Sequence, residues 1–267
     1  MSLRNTVKAF PTLMRVGFAE AVAYRAEMVV WVLSTTMPLI MMALWTAVAR
    51  EAPIGRFGQD EFVAYFLATF IVRQLTGAWA AWQMNFEVKQ GTLSMRLLRP
   101  LSPIVAYAVE HLAAIPMRVI VAVPIGLVLL LTVGAEHVAG SLPLWIVFAF
   151  AVLGAFLMTF LVGIIIGTLC FFMESSLKVM DVWLAAYMVF SGYLIPIELF
   201  PSFMERILEW LPFRYQIGFP VEVLTARYDL VGALTMLARQ WAYVAGLSLL
   251  AWGMWRAGLK RFAAFGG

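Results

Sequence analysis

From Met28 to Ala49 no side chain carries a charge, and between Glu136 and Glu174 only His137 can ionise. A helix needs about 20 predominantly apolar residues to cross a bilayer, so both runs are long enough to span one. Of the 267 residues 63% are hydrophobic and 13% charged, where a water-soluble domain carries about 25% charged residues. A soluble globular enzyme is thereby excluded. Similar runs place spans at about 28–49, 61–83, 105–133, 142–172, 179–197 and 234–255. The expected fold class is an all-α membrane protein with six transmembrane helices, residues 1–267 forming a single transmembrane domain with no room for a soluble one. The lone Cys170 excludes an intrachain disulfide and reads as apolar filler.

The first 25 residues contain Arg4, Lys8, Arg15, Glu20 and Arg25, which leave no uninterrupted apolar core of the kind a secretory signal needs. Leu3, Val7, Phe10, Met14, Phe18 and Val22 recur at helical spacing opposite the basic residues. That pattern describes an amphipathic helix in the membrane interface, with a short polar tail as the alternative. Pro11 is expected to bend it. With the N-terminus inside, eleven of the nineteen Lys and Arg fall on the inner side, five on the outer side and three (Arg73, Arg118, Arg239) within spans. The positive-inside bias therefore puts both termini in the cytoplasm of a multi-pass protein in the cell (inner) membrane. Because the basic residues sit at span ends rather than in a stripe, no nucleic-acid partner is expected.

The inner loop from Phe86 to Pro103 is the most informative connection. Gly91 permits a sharp turn, Thr92 is placed to cap a short helix, and Leu93, Leu97 and Leu98 supply its apolar side. Pro100 and Pro103 then end it. These residues make a compact knob, greasy on one side and basic on the other, which suits either docking into a partner's groove or lying against lipid. On the outer side, residues 198–232 are too polar to span and too apolar for an ordinary loop. Phe203, Ile207, Leu208 and Leu211 form a stripe, Pro212 breaks it, and the segment to Leu224 restarts amphipathically. Backbone of this kind at membrane depth must be sheltered by protein or line a wet cavity. A helical hairpin capping the outer mouth and a simple interfacial helix both fit.

Glu87, Gly91, Thr92 and Leu93, followed by Leu97-Leu98-Arg99-Pro100, resemble the cytoplasmic signature of ABC-type export permeases of the type 2 transmembrane family. Ser191-Gly192-Tyr193-Leu194-Ile195-Pro196, with Phe200-Pro201 and Leu211-Pro212-Phe213-x-Tyr215, is similar to that family's C-terminal signature. The resemblance implies that the knob is a coupling helix seated on an ATPase subunit. It also implies that residues 202–225 form short re-entrant helices, with Pro196, Pro201, Pro212 and Tyr215 at an outer gate. The implied partners are two ABC ATPase subunits, a second permease (identical or related) and the lipid membrane. ATP and Mg belong to the ATPase, and this chain binds no cofactor. The implied activity is export of an amphipathic or lipid-like substrate.

Absent motifs agree with that division of labour. No Gly-x-x-x-x-Gly-Lys-Ser/Thr stretch cradles ATP, and no metal-ligand spacing is found, His111 and His137 being expected on opposite sides of the membrane. Ionisable groups within spans are costly and are functional candidates. Arg73, Glu110, His111 and Arg118 are therefore read as lining a pathway or forming ion pairs, Arg73–Glu110 or Glu110–Arg118. The rival functions are an intramembrane enzyme, for which Glu110-His111 lacks a companion nucleophile, and a membrane scaffold that moves nothing.

Overall fold

The computed structural model describes residues 3–132 and 138–262; His137 lies outside them. The described residues form thirteen α-helices and short 3-10 turns, and the only strand-like pairing among them is a single bridge between Ile54 and Phe57. Four stretches are long and apolar enough to cross a membrane: Val29–Val48, Gln59–Lys89, Pro103–Ile120 and Leu142–Phe171.

The N-terminal helix α1 (Leu3–Ala23) runs on through Pro11. It packs along α7 (Pro103–Ala113), where a Cβ added to the buried Gly17 would meet the Ala113 Cβ at 2.8 Å. Phe10 and Phe18 are exposed.

Each of the first three expected spans is broken in its middle. The first is α2 (Arg25–Ser34) and α3 (Met37–Val48), the second α4 (Gln59–Thr76) and α5 (Ala80–Lys89), and the third α7 and α8 (Ile115–Thr132). The local sequence explains the breaks. At the first, the hydroxyls of Ser34, Thr35 and Thr36 donate to the carbonyls of Trp31, Val32 and Leu33, competing with the helical ladder, and Pro38 follows. At the second, Gly77 leaves the helical region (φ −64°, ψ 129°). At the third, Pro116 disfavours continuing the helix through the residue before it. Non-helical backbone at membrane depth survives only where buried or facing a cavity. The first two breaks line such a cavity, which Arg118 of α8 also reaches, and Ala114 at the third lines a neighbouring one.

The fourth stretch, α9 (Leu142–Thr168), is the hub. It contacts α4, α5, α10 (Ser176–Phe190), α12 (Gly218–Leu224) and α13 (Leu230–Leu259). Gly163 and Gly167 let α5 approach, with added Cβ atoms meeting the Ala80 Cβ at 3.3 Å and the Met84 Cβ at 3.2 Å. Small residues four apart commonly serve this role in membranes. The two remaining expected spans differ from their predicted bounds. Helix α10 has 15 residues and ends at Phe190, not near Ile197, so it rises only about 22 Å. Gly192 ends the run at φ +89°, its carbonyl accepting the Tyr65 hydroxyl at 2.7 Å. Helix α13 is longer than expected, at 30 residues. Helix α5 likewise continues past Gln83 to Lys89, carrying the second expected span into the knob.

Candidate functional site

The knob is built on a sharp turn. Gly91 sits at φ +72°, a left-handed backbone that β-branched residues adopt at a cost of about 1–2 kcal/mol. The short helix α6 (Leu93–Leu97) follows. Arg96 is its pivot: Nε donates to both Glu87 oxygens at 2.8 and 2.9 Å, Nη1 to Glu110 Oε1 at 2.6 Å and Nη2 to Glu110 Oε2 at 3.2 Å. The Tyr107 hydroxyl donates to Glu87 Oε2 at 2.6 Å and Gln83 Nε2 to Glu110 Oε2 at 2.7 Å. Partial burial works against the Arg96 charge, yet its hydrogen bonds to Glu110 and Glu87 outweigh this and raise its pKa above the usual arginine value. Guanidinium–carboxylate forks are the strong, geometrically specific members of their class. One arginine therefore ties the knob to both α5 and α7.

Glu110 is thus corrected: it pairs with Arg96, not with Arg73 or Arg118. It is the eighth residue of α7, about 10 Å from the helix start and within reach of the knob. The outward surface is corrected as well. Leu93 is fully buried in the protein's own core and Leu97 packs against that core, so only Leu98, 82% exposed, faces outward of the three leucines. Met95, Arg99, Pro100 and Thr92 are exposed beside it. Replacing Gly91 by Val should lower the unfolding free energy of the purified permease in mixed micelles by about 1–2 kcal/mol, with Ala intermediate. A Val variant as stable as the parent would contradict the left-handed turn.

His111 is buried, its Nδ1 2.7 Å from the Tyr107 carbonyl and its ring 4.4 Å from that of Trp79, while Nε2 has no partner. No group of three or more His, Cys, Asp or Glu side chains able to hold a metal occurs among the described residues. Arg118 reaches back to the second span, Nη1 donating to the Gly77 carbonyl at 2.6 Å and marginally to that of Gln74 at 3.5 Å. It thereby satisfies backbone freed by the break. Arg73 and Arg118 both line the cavity among the broken spans.

The outer segment contains helices, but not an amphipathic hairpin throughout. Pro196 precedes a 3-10 turn (Ile197–Leu199), and Pro201 precedes α11 (Ser202–Leu208). Phe203 and Ile207 are exposed and Leu208 is buried. After Pro212 the chain turns inward. Tyr215 is buried, its hydroxyl donating to the Glu209 carbonyl at 2.9 Å, and every residue of α12 is buried. The expected amphipathic restart is therefore corrected: α12 packs against α9 and α4 rather than presenting a polar face. It carries Glu222, whose Oε2 accepts from Arg214 Nη2 at 2.9 Å and from the Tyr228 hydroxyl at 2.9 Å; Arg214 and Tyr228 are 2.8 Å apart. Burial, and then the Glu222 carboxylate, push the Tyr228 phenol well up. Sequence reasoning missed this triad, although a glutamate within Phe219-Pro220-Val221-Glu222-Val223-Leu224 was a signal that it needed a buried cation.

Residues 29–266 match the family model described as ABC-2 family transporter protein. No curated protein matches the chain. The match covers nearly all of the broken spans, the knob and the outer segment, so this chain belongs to the ABC-2 family of transporter membrane proteins.

Proposed function

We propose that the chain is the permease subunit of an ATP-driven exporter for an amphipathic or lipid-like substrate. Six spans cross the inner membrane with both termini inside, a second permease completes the pathway, and two ATPase subunits carry ATP and Mg. Residues 86–102 form the coupling element. The observation that carries the reading is the Arg96 fork, because it joins the knob to two spans through charge-assisted hydrogen bonds. A push on Met95, Leu98 and Arg99 by a closing ATPase is then felt at Glu87 on α5 and Glu110 on α7. The outer segment, with Pro196, Pro201, Pro212 and Tyr215, serves as the lid of the pathway. The family match favours this reading over an intramembrane enzyme or an inert scaffold.

Topology tests the arrangement. In a Cys170→Ser background, cysteines at Asp60 and Gly140 should react with an impermeant maleimide in intact cells, and one at Gln90 only after lysis. All three native residues are exposed, and a side chain at Gly140 meets open space. Labelling of position 90 from outside would overturn the cytoplasmic knob.

A further inference from the structure

The cavity among the broken spans has a volume of about 290 Å³ and walls of tryptophan and tyrosine, among them Trp31, Trp79, Trp183 and Tyr187. Its lining contains Arg73 and Arg118 and no carboxylate. A Cβ built on Gly77 would lie 3.1 Å from Arg118 Nη1 and 3.4 Å from Arg73 Nη1, so two guanidiniums converge on one glycine. Their other neighbours are neutral. The Arg118 guanidinium lies 5.0 Å over the Trp79 ring, and that of Arg73 faces the Tyr187 ring at 5.9 Å. Neither makes an ion pair among the described residues, whereas Arg96 and Arg214 each meet two carboxylates. A third donor is present: Gln216, only 1% exposed, lines the same cavity, and its Nε2 has no partner. Glu20 and Glu110 line a separate cavity that shares the stacked Trp31 and Trp79 as walls, and Arg96 and Gln83 already engage Glu110.

Two like charges held together in a poorly hydrated site are costly without a counter-charge. An anion with several acceptor oxygens supplies it and also meets the free amide of Gln216. The aromatic walls suit an alkyl chain. We infer that this cavity binds the anionic head group of an amphiphile, a phosphate, sulfate or carboxylate held by Arg73, Arg118 and Gln216, with its hydrocarbon part against the tryptophans. The assignment of this amphiphile as cargo rests on the permease reading; the binding itself does not.

The test titrates the purified permease, released from maltoside micelles for native mass spectrometry, with dodecyl phosphate, dodecyltrimethylammonium and inorganic phosphate. One saturable dodecyl phosphate site is expected, at least tenfold tighter than either of the other two probes. Arg73→Gln and Arg118→Gln should each weaken it at least tenfold. Arg118→Lys should restore much of the loss, and Arg239→Gln, outside the cavity, should change nothing. Melting temperatures of the same samples separate lost binding from lost fold: a Gln variant that melts like the parent and binds dodecyl phosphate equally well overturns the proposal. Equal binding of the trimethylammonium probe overturns the anionic head, and equal binding of inorganic phosphate overturns the amphiphile. Because binding is read on the permease alone, failure to find an ATPase partner leaves this result standing. A failed titration with the transporter complex intact faults this site only.

Discussion

Replacing Glu222 by Gln should destabilise the protein by about 3–5 kcal/mol, the usual cost of removing one member of a buried ion pair. The side chains of Arg214 and Glu222 are 5% and 2% exposed, so neither recovers solvation when the other is lost. Arg214 has little in reserve. Its Nε and Nη1 already lack hydrogen-bond partners, and Glu209 lies 3.8 Å away, beyond hydrogen-bond reach. Tyr228 would exchange a charged acceptor for a neutral amide oxygen. Because α12 is packed against α9 and α4, the strain falls on the centre of the bundle rather than on a peripheral loop. The double variant Arg214→Met with Glu222→Leu should recover most of the loss, since replacing both charges by apolar groups of similar volume is often neutral or better. Denaturant unfolding in mixed micelles measures both. A Glu222→Gln protein within about 0.5 kcal/mol of the parent, the range of an ordinary surface change, would show that the triad is not a stabilising pair.

Much of the architecture was legible because lipid imposes a simple demand: charge-free runs of sufficient length must be helices. The runs from Met28 and Leu142 correspond to real elements within a few residues, and the N-terminal stretch is the helix its stripe predicted. The central breaks were not legible. Thr35-Thr36 and Gly77 are tolerated inside membrane helices, and nothing local says that these two weak points will meet at one cavity. Glu110 was assigned the wrong partner because its partners were sought within the spans, whereas Arg96 reaches it from the knob. Leu93, Leu97 and Leu98 look alike in composition. Their separation into buried, packed and exposed depends on how the turn at Gly91 orients a five-residue helix. Glu222 was hidden for another reason: its partners, Arg214 and Tyr228, are eight and six residues away on either side of a helix too short to show a period.

The same geometry sets the second large effect. Leu98 and Met95 are 82% and 64% exposed on the outward side of the knob. Under the coupling reading they fill an apolar seat on the ATPase, where central anchors of an interface each contribute about 2 kcal/mol or more. Leu98→Asp adds an unpaired charge to that loss, so the affinity for the ATPase subunit should fall at least about thirtyfold. Leu97→Asp makes the contrast. It strikes the permease's own core and should lower folding stability and membrane level, a phenotype that Leu98→Asp should not share. Neither result depends on which substrate is moved.

The most direct measurement is therefore the retention of the ATPase subunit by Leu98→Asp permease co-expressed with it, together with substrate-stimulated ATP hydrolysis by what remains. The account predicts normal insertion and stability, with a complex that loses its ATPase or hydrolyses ATP without export. A Leu98→Asp protein that keeps both its partner and full export would contradict the claim that residues 86–102 couple ATP hydrolysis to the spans.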